Sequence, residues 1–304
     1  MVFFVESLKN RRSNNEDSYC HMELRVNHEA KVNAFCIADG MGGLDAGKDY
    51  SQKAVSLWFE ELVHTIMGEQ FINCSLKTQI DTLRNFSGDV MTKINEILYK
   101  AGMDTGKVGG TTLTTVIHFW DSWIIANCGD SPVYIVRNQN LELISEIQNV
   151  AWQMVREKKT QVGSTLFYQN KNRLLQYLGR RDCVKPYVRI LDDRQIQAVL
   201  LGSDGAFGDL SMNKMENILL QFPRQSKALS LLLEYAREQG ENDNQTAFLI
   251  VPPEKEEHFE EAEDLVEEGF LCKEGENYVA VEEPSFSKRL KSYFSKAPKG
   301  GKES

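Results

Sequence analysis

The 304-residue sequence has few cysteines, and none of them forms a paired motif. No C-x-x-C spacing occurs, so a zinc site is not expected. Two of the cysteines, at positions 36 and 128, lie inside apolar runs, which favours reduced thiols in a cytosolic setting. The six cysteines are Cys20, Cys36, Cys74, Cys128, Cys183 and Cys272.

Long apolar runs are also missing. No stretch approaches the roughly 18 residues that a membrane-spanning helix needs. The N-terminal stretch MVFFVESLKNRR has only a short apolar run, and its charges follow that run rather than precede it, unlike a signal peptide. We therefore expect a soluble, cytoplasmic protein.

Basic residues are fewer than acidic residues. The chain has 35 Lys and Arg against 44 Asp and Glu, which leaves a formal net charge of −9. A protein of this charge has no broad basic face for nucleic acid, so we expect no nucleic-acid partner and disfavour a metal-dependent nuclease. An acidic chain is instead suited to holding cations.

The composition is otherwise that of a globular protein, with 41% hydrophobic residues. Strands come first, then two long helices, more strands, two helices and a closing strand. This order indicates a layered α+β fold rather than regular βαβ alternation. Period-2 and β-branched runs predict strands at 31–38, 111–119, 122–128, 133–137, 187–191, 196–202 and 245–251. Helical spacing predicts helices at 47–66, 76–100 with an interruption near Ser87-Gly88, 147–158, 172–179, 211–221 and 225–239.

The composition changes after Pro252-Pro253. Residues 254–283 are dominated by Glu, and residues 287–302 are basic. We expect a folded domain over 1–252 and a flexible or loosely docked tail over 253–304. Aromatic and leucine side chains among the final lysines leave one less favoured alternative, a short amphipathic segment that contacts a partner or a membrane surface.

Acidic residues recur where predicted strands begin or end. FCIADG at 35–40 is echoed by VLLGSDG at 199–205, and ANCGDS at 126–131 again places an aspartate after a strand. Each Asp-Gly alone is a common turn dipeptide. Carboxylates brought together repel one another, so such a cluster becomes tolerable when it holds a cation, and all-oxygen ligands suit Mg²⁺ or Mn²⁺. The acidic set is Glu16-Asp17, Asp39, Asp130, Asp204 and Asp243.

The ordered series RRSNNED, ADGMGG, GGTT, ANCGDS, GSDG and ENDNQT resembles the metal-dependent Ser/Thr protein phosphatases of type 2C, with the spacing of the compact bacterial members. The resemblance covers roughly residues 5–251. It implies a central antiparallel β-sandwich flanked by α-helices on both faces. It also implies a centre of two Mn²⁺ or Mg²⁺ ions at one end, with a third ion left open.

The resemblance implies a role for each matching residue. The carboxylate of Asp39 would bridge two metals, and the carbonyl of Gly40 would bind one of them. Arg12 would bind the substrate phosphate, with Arg11 as the neighbouring alternative, and Thr112 would contact the water network. The other metal ligands would be Glu16, Asp17, Asp204 and Asp243, with Asp130 at the third site, and the residues carrying catalysis would be Arg12, Asp39 and Asp204.

The expected reaction is hydrolysis of phosphoserine and phosphothreonine by a hydroxide activated between two metals, which also neutralise the phosphate charge. Some relatives carry a histidine after the DG motif. Met41 occupies that place here, so we expect water to be the general acid. Pro132 replaces a common arginine, and SEIQN at 145–149 replaces a T-x-D-H-S element. The polar and basic residues 151–185 fall where the family has a variable flap.

Two alternatives stay open at this point. The chain could be a catalytically weak phosphoprotein-binding regulatory module on the same fold. A nucleotide phosphate loop at DGMGG is disfavoured because the G-x-x-x-x-G-K-[ST] pattern is absent. The partners expected are phosphorylated proteins and an opposing Ser/Thr kinase, and the expected state is a monomer.

Overall fold

A computed structural model describes residues 1–28, 30–42, 46–192 and 195–253. These residues form two five-stranded antiparallel sheets. The first sheet has the order β1 (Val2–Leu8), β12 (Gln245–Val251), β11 (Ile196–Gly202), β8 (Val133–Arg137) and β9 (Asn140–Leu143). The second has the order β10 (Tyr187–Asp192), β7 (Ser122–Cys128), β6 (Leu113–Phe119), β3 (Lys31–Ala38) and β2 (Ser18–Arg25). A short pair joins β4 (Gly40–Gly42) to β5 (Gly109–Thr111).

The two sheets pack face to face through one apolar cluster. Phe35 and Val116 of the second sheet meet Phe248 and Val199 of the first, and all four side chains are buried. The rings of Phe35 and Phe248 lie edge to face with their centroids 5.5 Å apart. Burying side chains of this size contributes about 1.5–3 kcal/mol each, so this interface anchors the sandwich.

Helices cover the outer face of each sheet. On the second sheet, α1 (Ala46–Met67) and α3 (Leu76–Thr105) bury an apolar stripe that includes Trp58 and Leu98. On the first sheet, α7 (Met212–Gln221) and α8 (Ser226–Glu238) form the corresponding layer. The predicted α+β fold with a helix-flanked antiparallel sandwich is confirmed. Shorter helices are α2 (Glu69–Ile72), α4 (Val150–Arg156), α5 (Thr165–Tyr168) and α6 (Asp204–Phe207).

Two helix predictions were wrong. The interruption near Ser87 does not occur, because Ser87 is buried and its hydroxyl donates to the Leu83 carbonyl at 2.7 Å within a continuous α3. No helix forms at 172–179. Leu174 and Leu178 have helical spacing, but their backbones pair in extended form with Asn149 and Thr111.

Three strands at sheet edges, β1, β2 and β9, were not identified from the sequence. β1 and β2 are half-exposed along much of their length, so they carry no long buried run. Helix α4 is also shorter than predicted, since the Asn149 side chain accepts from the Trp152 amide and caps it. Of the predicted tail over 253–304, only Pro253 lies within the described residues. None of the helices in the described part of the chain has the length and apolarity that a membrane crossing requires.

Candidate metal and phosphate site

The predicted site residues converge at one cleft of about 880 Å³. The acidic members come from loops and strand ends, where the sequence pattern had placed them. Asp17 is the one predicted metal ligand that does not line the cleft, because its side chain is buried. The predicted residues that line the cleft are Arg12, Glu16, Asp39, Gly40, Met41, Thr112, Asp130, Pro132, Asp204 and Asp243.

Two threonines fix the backbone of Asp39 at the end of β3. The Asp39 amide donates to the Thr112 hydroxyl at 2.9 Å, and the Asp39 carbonyl accepts from the Thr112 amide at 2.9 Å. The Thr111 hydroxyl donates to the same carbonyl at 2.9 Å. Thr112 therefore acts on the main chain of Asp39, and this contact orients the carboxylate toward the cleft.

Three backbone segments cross closely beside Asp39. A Cβ on Gly40 would overlap the Gly47 carbonyl and lie 2.7 Å from the Glu16 carbonyl. A Cβ on Gly47 would lie 2.9 Å from the Glu16 carboxyl carbon. The Ser51 hydroxyl donates to the Glu16 carbonyl at 2.5 Å. Glycine at position 40 is therefore required by the close approach of the Glu16 and Gly47 main chains.

Asp17 is buried with neither carboxylate oxygen hydrogen-bonded. Its main chain is held instead, since the Lys48 ammonium donates to its carbonyl at 2.6 Å and its amide donates to the Asn15 side chain at 3.2 Å. Burial raises the pKa of Asp17 to about 7, the nearby Thr246 and Ser203 hydroxyls oppose the rise, and the charges of Asp204 and Asp243 add to it. An unpaired buried carboxylate is costly, so this side chain fits a bound cation.

The other carboxylates share the same electrostatic environment. Burial, and then the charges of Asp17 and Asp204, raise the pKa of Asp39 well above its ordinary value. Burial also raises the pKa of Asp204, while a hydrogen bond with Asp39 opposes the rise. Burial and the charge of Asp204 raise the pKa of Asp130 to about 8. The cluster therefore holds protons that a divalent cation would displace.

The unusual segment at 145–149 supports the turn that carries Asp130. The Asn149 amide group donates to the Asp130 carboxylate at 3.2 Å. The Gln148 side chain accepts from the Gly129 amide at 2.9 Å. Gly129 has φ of 125°, where a Cβ would also lie 2.6 Å from a Thr112 methyl group. The segment that departs from the family element thus supports the Asp130 turn through Gln148 and Asn149.

Arg12 is placed at the mouth of the cleft by its pairing with Asp243. The guanidinium lies 2.5 Å from the Asp243 carboxylate. Asn244 holds the loop that carries Arg12, since its side chain donates to the carbonyls of Lys9 and Asn14 at 3.0 and 2.9 Å. The neighbouring Arg11 does not line the cleft. Asn244 was missed at the sequence level, because its contacts join positions more than 200 residues apart.

The opposite wall of the cleft was also missed. Trp152 and Phe167 line it, and their rings meet edge to face at 6.0 Å. Lys171 lines it too, paired with Asp209 at 2.5 Å, and the charges of Glu241 and Asp204 stabilise its ammonium. The only sequence signal was the position of these residues within 151–185, the predicted flap.

The chemistry of the candidate ligands suits divalent cations. Every candidate ligand is a carboxylate or a backbone carbonyl, which are the ligands of Mg²⁺ and Mn²⁺. Among the described residues, no three His, Cys, Asp or Glu side chains are already arranged as a metal-binding group. The Arg12 guanidinium pairs with Asp243, and a hydrogen bond between Asp39 and Asp204 affects the pKa of both carboxyls. Metal binding would replace both contacts.

Comparison with known proteins identifies the family. The profile described as protein phosphatase 2C matches residues 9–249. The chain therefore belongs to the protein phosphatase 2C family. The enzyme class expected from the motifs, a protein phosphatase, is confirmed at this level.

Individual relatives match most of the length of this chain, and solved relatives share its fold. The serine/threonine phosphatase stp of Listeria welshimeri is 28% identical over 242 residues, which cover 79% of this chain and 90% of that protein. The crystal structure of serine/threonine phosphatase Stp1 from Staphylococcus aureus aligns with a TM-score of 0.69 at 22% identity, over 83% of this chain and 95% of that one. The catalytic domain of the serine/threonine phosphatase PstP was solved with two manganese ions. It aligns with a TM-score of 0.63 at 22% identity, over 82% of this chain and 97% of that one.

Proposed function

We propose that this chain hydrolyses phosphoserine and phosphothreonine in proteins with the help of divalent metal ions. The observation that carries the proposal is the unpaired, buried carboxylate of Asp17 within a cluster of raised-pKa carboxylates. Among the described residues, those that line the cleft include no cysteine and no histidine, so the serine there, Ser13, has no imidazole base to activate it. Attack by water is therefore the reaction that the side chains support best.

The residues that would hold the metals are the cleft carboxylates and one main-chain carbonyl. When bound, two divalent ions neutralise the phosphate charge and lower the pKa of water. The number of ions, and the choice between Mn²⁺ and Mg²⁺, belong to the proposal. The proposed ligands are Glu16, Asp17, Asp39, the carbonyl of Gly40, Asp204 and Asp243, with Asp130 at a third site.

The chain itself binds and orients the phosphoryl group. The planar guanidinium of Arg12 presents paired N–H donors that match two phosphoryl oxygens. Trp152 and Phe167 form a wall that limits the water around the bound peptide. Met41 cannot donate a proton, so the proton that the serine or threonine oxygen needs on leaving comes from water in the open cleft.

The experiment is turnover of p-nitrophenyl phosphate and of a phosphothreonine peptide with and without Mn²⁺. We expect turnover with metal, and loss by roughly 100-fold or more in Asp39→Asn and Asp204→Asn. The exposed Asp104→Asn is the matched control, because it lies outside the cleft on α3. A folded protein that binds the phosphopeptide without turnover in Mn²⁺ would instead support the regulatory-module alternative.

Phosphorylated proteins are the substrates that follow from this activity. Opposition to a Ser/Thr kinase, a monomeric state and a cytoplasmic location stay predictions. The choice among phosphopeptide substrates in that assay tests the opposition to a Ser/Thr kinase. Sedimentation of the full chain tests the second.

A further inference from the structure

Two cysteines lie directly opposite each other on adjacent strands of the second sheet. Cys20 of β2 pairs with Cys36 of β3 in the antiparallel register. Residues directly opposed in antiparallel strands have Cα atoms about 4.5–5.5 Å apart. Disulfide-bonded cysteines have Cα atoms about 4.4–6.8 Å apart, so this pair meets the distance requirement without a change of register.

The two thiols share one side of the sheet and contact each other. Cys36 is fully buried in the cluster beneath α1 and α3, and Cys20 packs against the same cluster while staying partly exposed. The Cys20 thiol donates to the His21 carbonyl at 3.7 Å, interaction with the Cys36 thiol lowers the pKa of Cys20, and burial raises the pKa of Cys36. Solvent therefore reaches one sulfur of the pair, and that sulfur has the greater thiolate character.

We propose that Cys20 and Cys36 are a site of reversible disulfide formation driven by peroxide. The Cys20 thiolate attacks one oxygen of hydrogen peroxide, the O–O bond breaks, and the released hydroxide takes a proton to form water. Cys36 then displaces the oxygen of the Cys20 sulfenic acid, and its thiol proton leaves with that oxygen as a second water. The two sulfurs are oxidised to one S–S bond, and the peroxide is reduced to two waters.

The disulfide also acts on the proposed metal site, and this second part rests on the proposed function. Cys20 lies three residues after Asp17, and Cys36 lies three residues before Asp39. The strand pair between them ends at Ser18 and Ala38, next to both aspartates. An S–S bond imposes its own geometry on the strand pair, so it changes the local twist of the main chain that orients both carboxylates. We expect Mn²⁺ to bind ~10-fold more weakly to the oxidised protein.

Formation of the bond is tested on the full chain without reference to activity. The metal-free protein is treated with hydrogen peroxide, its remaining thiols are alkylated, and it is digested with trypsin without reduction. Cleavage after Arg12, Arg25, Lys31 and Lys48 separates the two cysteines into peptides 13–25 and 32–48. We expect these peptides as one species that dithiothreitol splits.

Two variants control this result. Cys20→Ser, at the partly exposed position, removes the cross-linked species, and Cys183→Ser, at an exposed thiol elsewhere, leaves it unchanged. Sulfinic acid at Cys20 without a cross-link, or a cross-link that involves another cysteine instead, would overturn the proposal. Cys20→Ser also avoids the packing change at the buried Cys36.

The effect on the metal site has its own readout. The change in Tm during a Mn²⁺ titration is compared between the reduced and the oxidised protein. A cross-linked protein with an unchanged Mn²⁺ titration would overturn the coupling between the disulfide and the site. A reduced protein with no Mn²⁺ shift would contradict the proposed function, whatever the cysteines do.

Discussion

The guanidinium of Arg12 lies 2.5 Å from the carboxylate of Asp243, although 231 positions separate the two residues. In the proposed site, the arginine binds phosphate and the aspartate binds metal. The same Asp243 oxygen cannot serve both partners fully. A metal ion at Asp243 would therefore weaken the ion pair and free Arg12 for the substrate, which links the two binding events.

Replacing Arg12 by alanine should separate these roles. We expect kcat/KM to fall by about 10- to 100-fold, because hydrogen bonds to charged groups contribute about 1.5–3 kcal/mol. The Mn²⁺ affinity should hold or rise, since Asp243 loses its competing partner. Steady-state kinetics measure the first effect, and calorimetric titration with Mn²⁺ measures the second.

Arg11→Ala is the control for this prediction, because Arg11 is exposed and outside the cleft lining. Its kinetics should match those of the parent protein. An equal loss in Arg11→Ala would transfer the phosphate-binding role to Arg11. A weaker Mn²⁺ affinity in Arg12→Ala would show that the arginine supports the metal site rather than competes with it.

Proton binding should compete with metal binding. The pKa of Asp17 is raised to about 7 and that of Asp130 to about 8, from an ordinary value of 3.8. A raised carboxyl pKa contributes stability that is present below the unfolded value and is lost as the pH rises through the folded value. The metal-free protein should therefore lose stability as the pH approaches 7 to 8, where its folded carboxyls ionise.

Added Mn²⁺ should reverse this trend. The gain in Tm on adding Mn²⁺ should grow from about pH 6 to about pH 8, because the ligands bind metal only when deprotonated. Thermal melts in chelator and in Mn²⁺ across this range measure the difference. A gain in Tm that stays constant over the range would show that the protons of Asp17 and Asp130 are not displaced by the metal.

Gly40 should tolerate no side chain. In Gly40→Ala, the new methyl group meets the carbonyls of Gly47 and Glu16, and both belong to main chain that cannot move aside easily. We expect a loss of about 1–3 kcal/mol in the free energy of unfolding, as for other overpacked sites. Denaturant unfolding measures this loss, and the Mn²⁺ titration should weaken with it.

Gly88→Ala is the matched control for the same chemical change. Gly88 lies inside α3, and a Cβ there would meet only a Val188 methyl group at 3.5 Å, an ordinary contact. Alanine is favoured over glycine in a helix by about 1 kcal/mol. This variant should therefore be more stable than the parent protein, and a destabilised Gly88→Ala would contradict the packing described for α3.

The carboxylates could be predicted because their signals are local. Asp39, Asp130 and Asp204 each follow an apolar strand and adjoin glycine, so the sequence shows both the strand end and the turn. β3 and β7 both pair antiparallel with β6, so their ends lie at one end of the second sheet, and Asp204 after β11 of the first sheet lines the same cleft. Local pattern and long-range arrangement agree at these positions.

The remainder of the site depends on contacts that leave no local pattern. Asn244 holds the loop of Lys9 and Asn14 through main-chain carbonyls, which any residue provides. Leu174 and Leu178 show the opposite error, since helical spacing predicted a helix where extended backbone pairing with Asn149 and Thr111 occurs. In that segment tertiary hydrogen bonds override the periodic signal.

Lys171 and Asp209 should act together to anchor the segment 151–185, which carries the cleft wall lined by Trp152, Phe167 and Lys171. Their ion pair is half-buried, with 27% and 28% of the side chains exposed, and it joins that wall to the chain after α6. We expect Lys171→Met and Asp209→Asn each to raise the KM for a phosphopeptide about 5-fold, since such a pair contributes about 1 kcal/mol. The double variant should show little further change in KM, because both substitutions remove the same contact.

Lys159→Met is the control. It breaks an exposed pair with Glu157 in the same wall and should leave KM unchanged. Additive effects in the double variant would show that Lys171 and Asp209 act separately on the substrate.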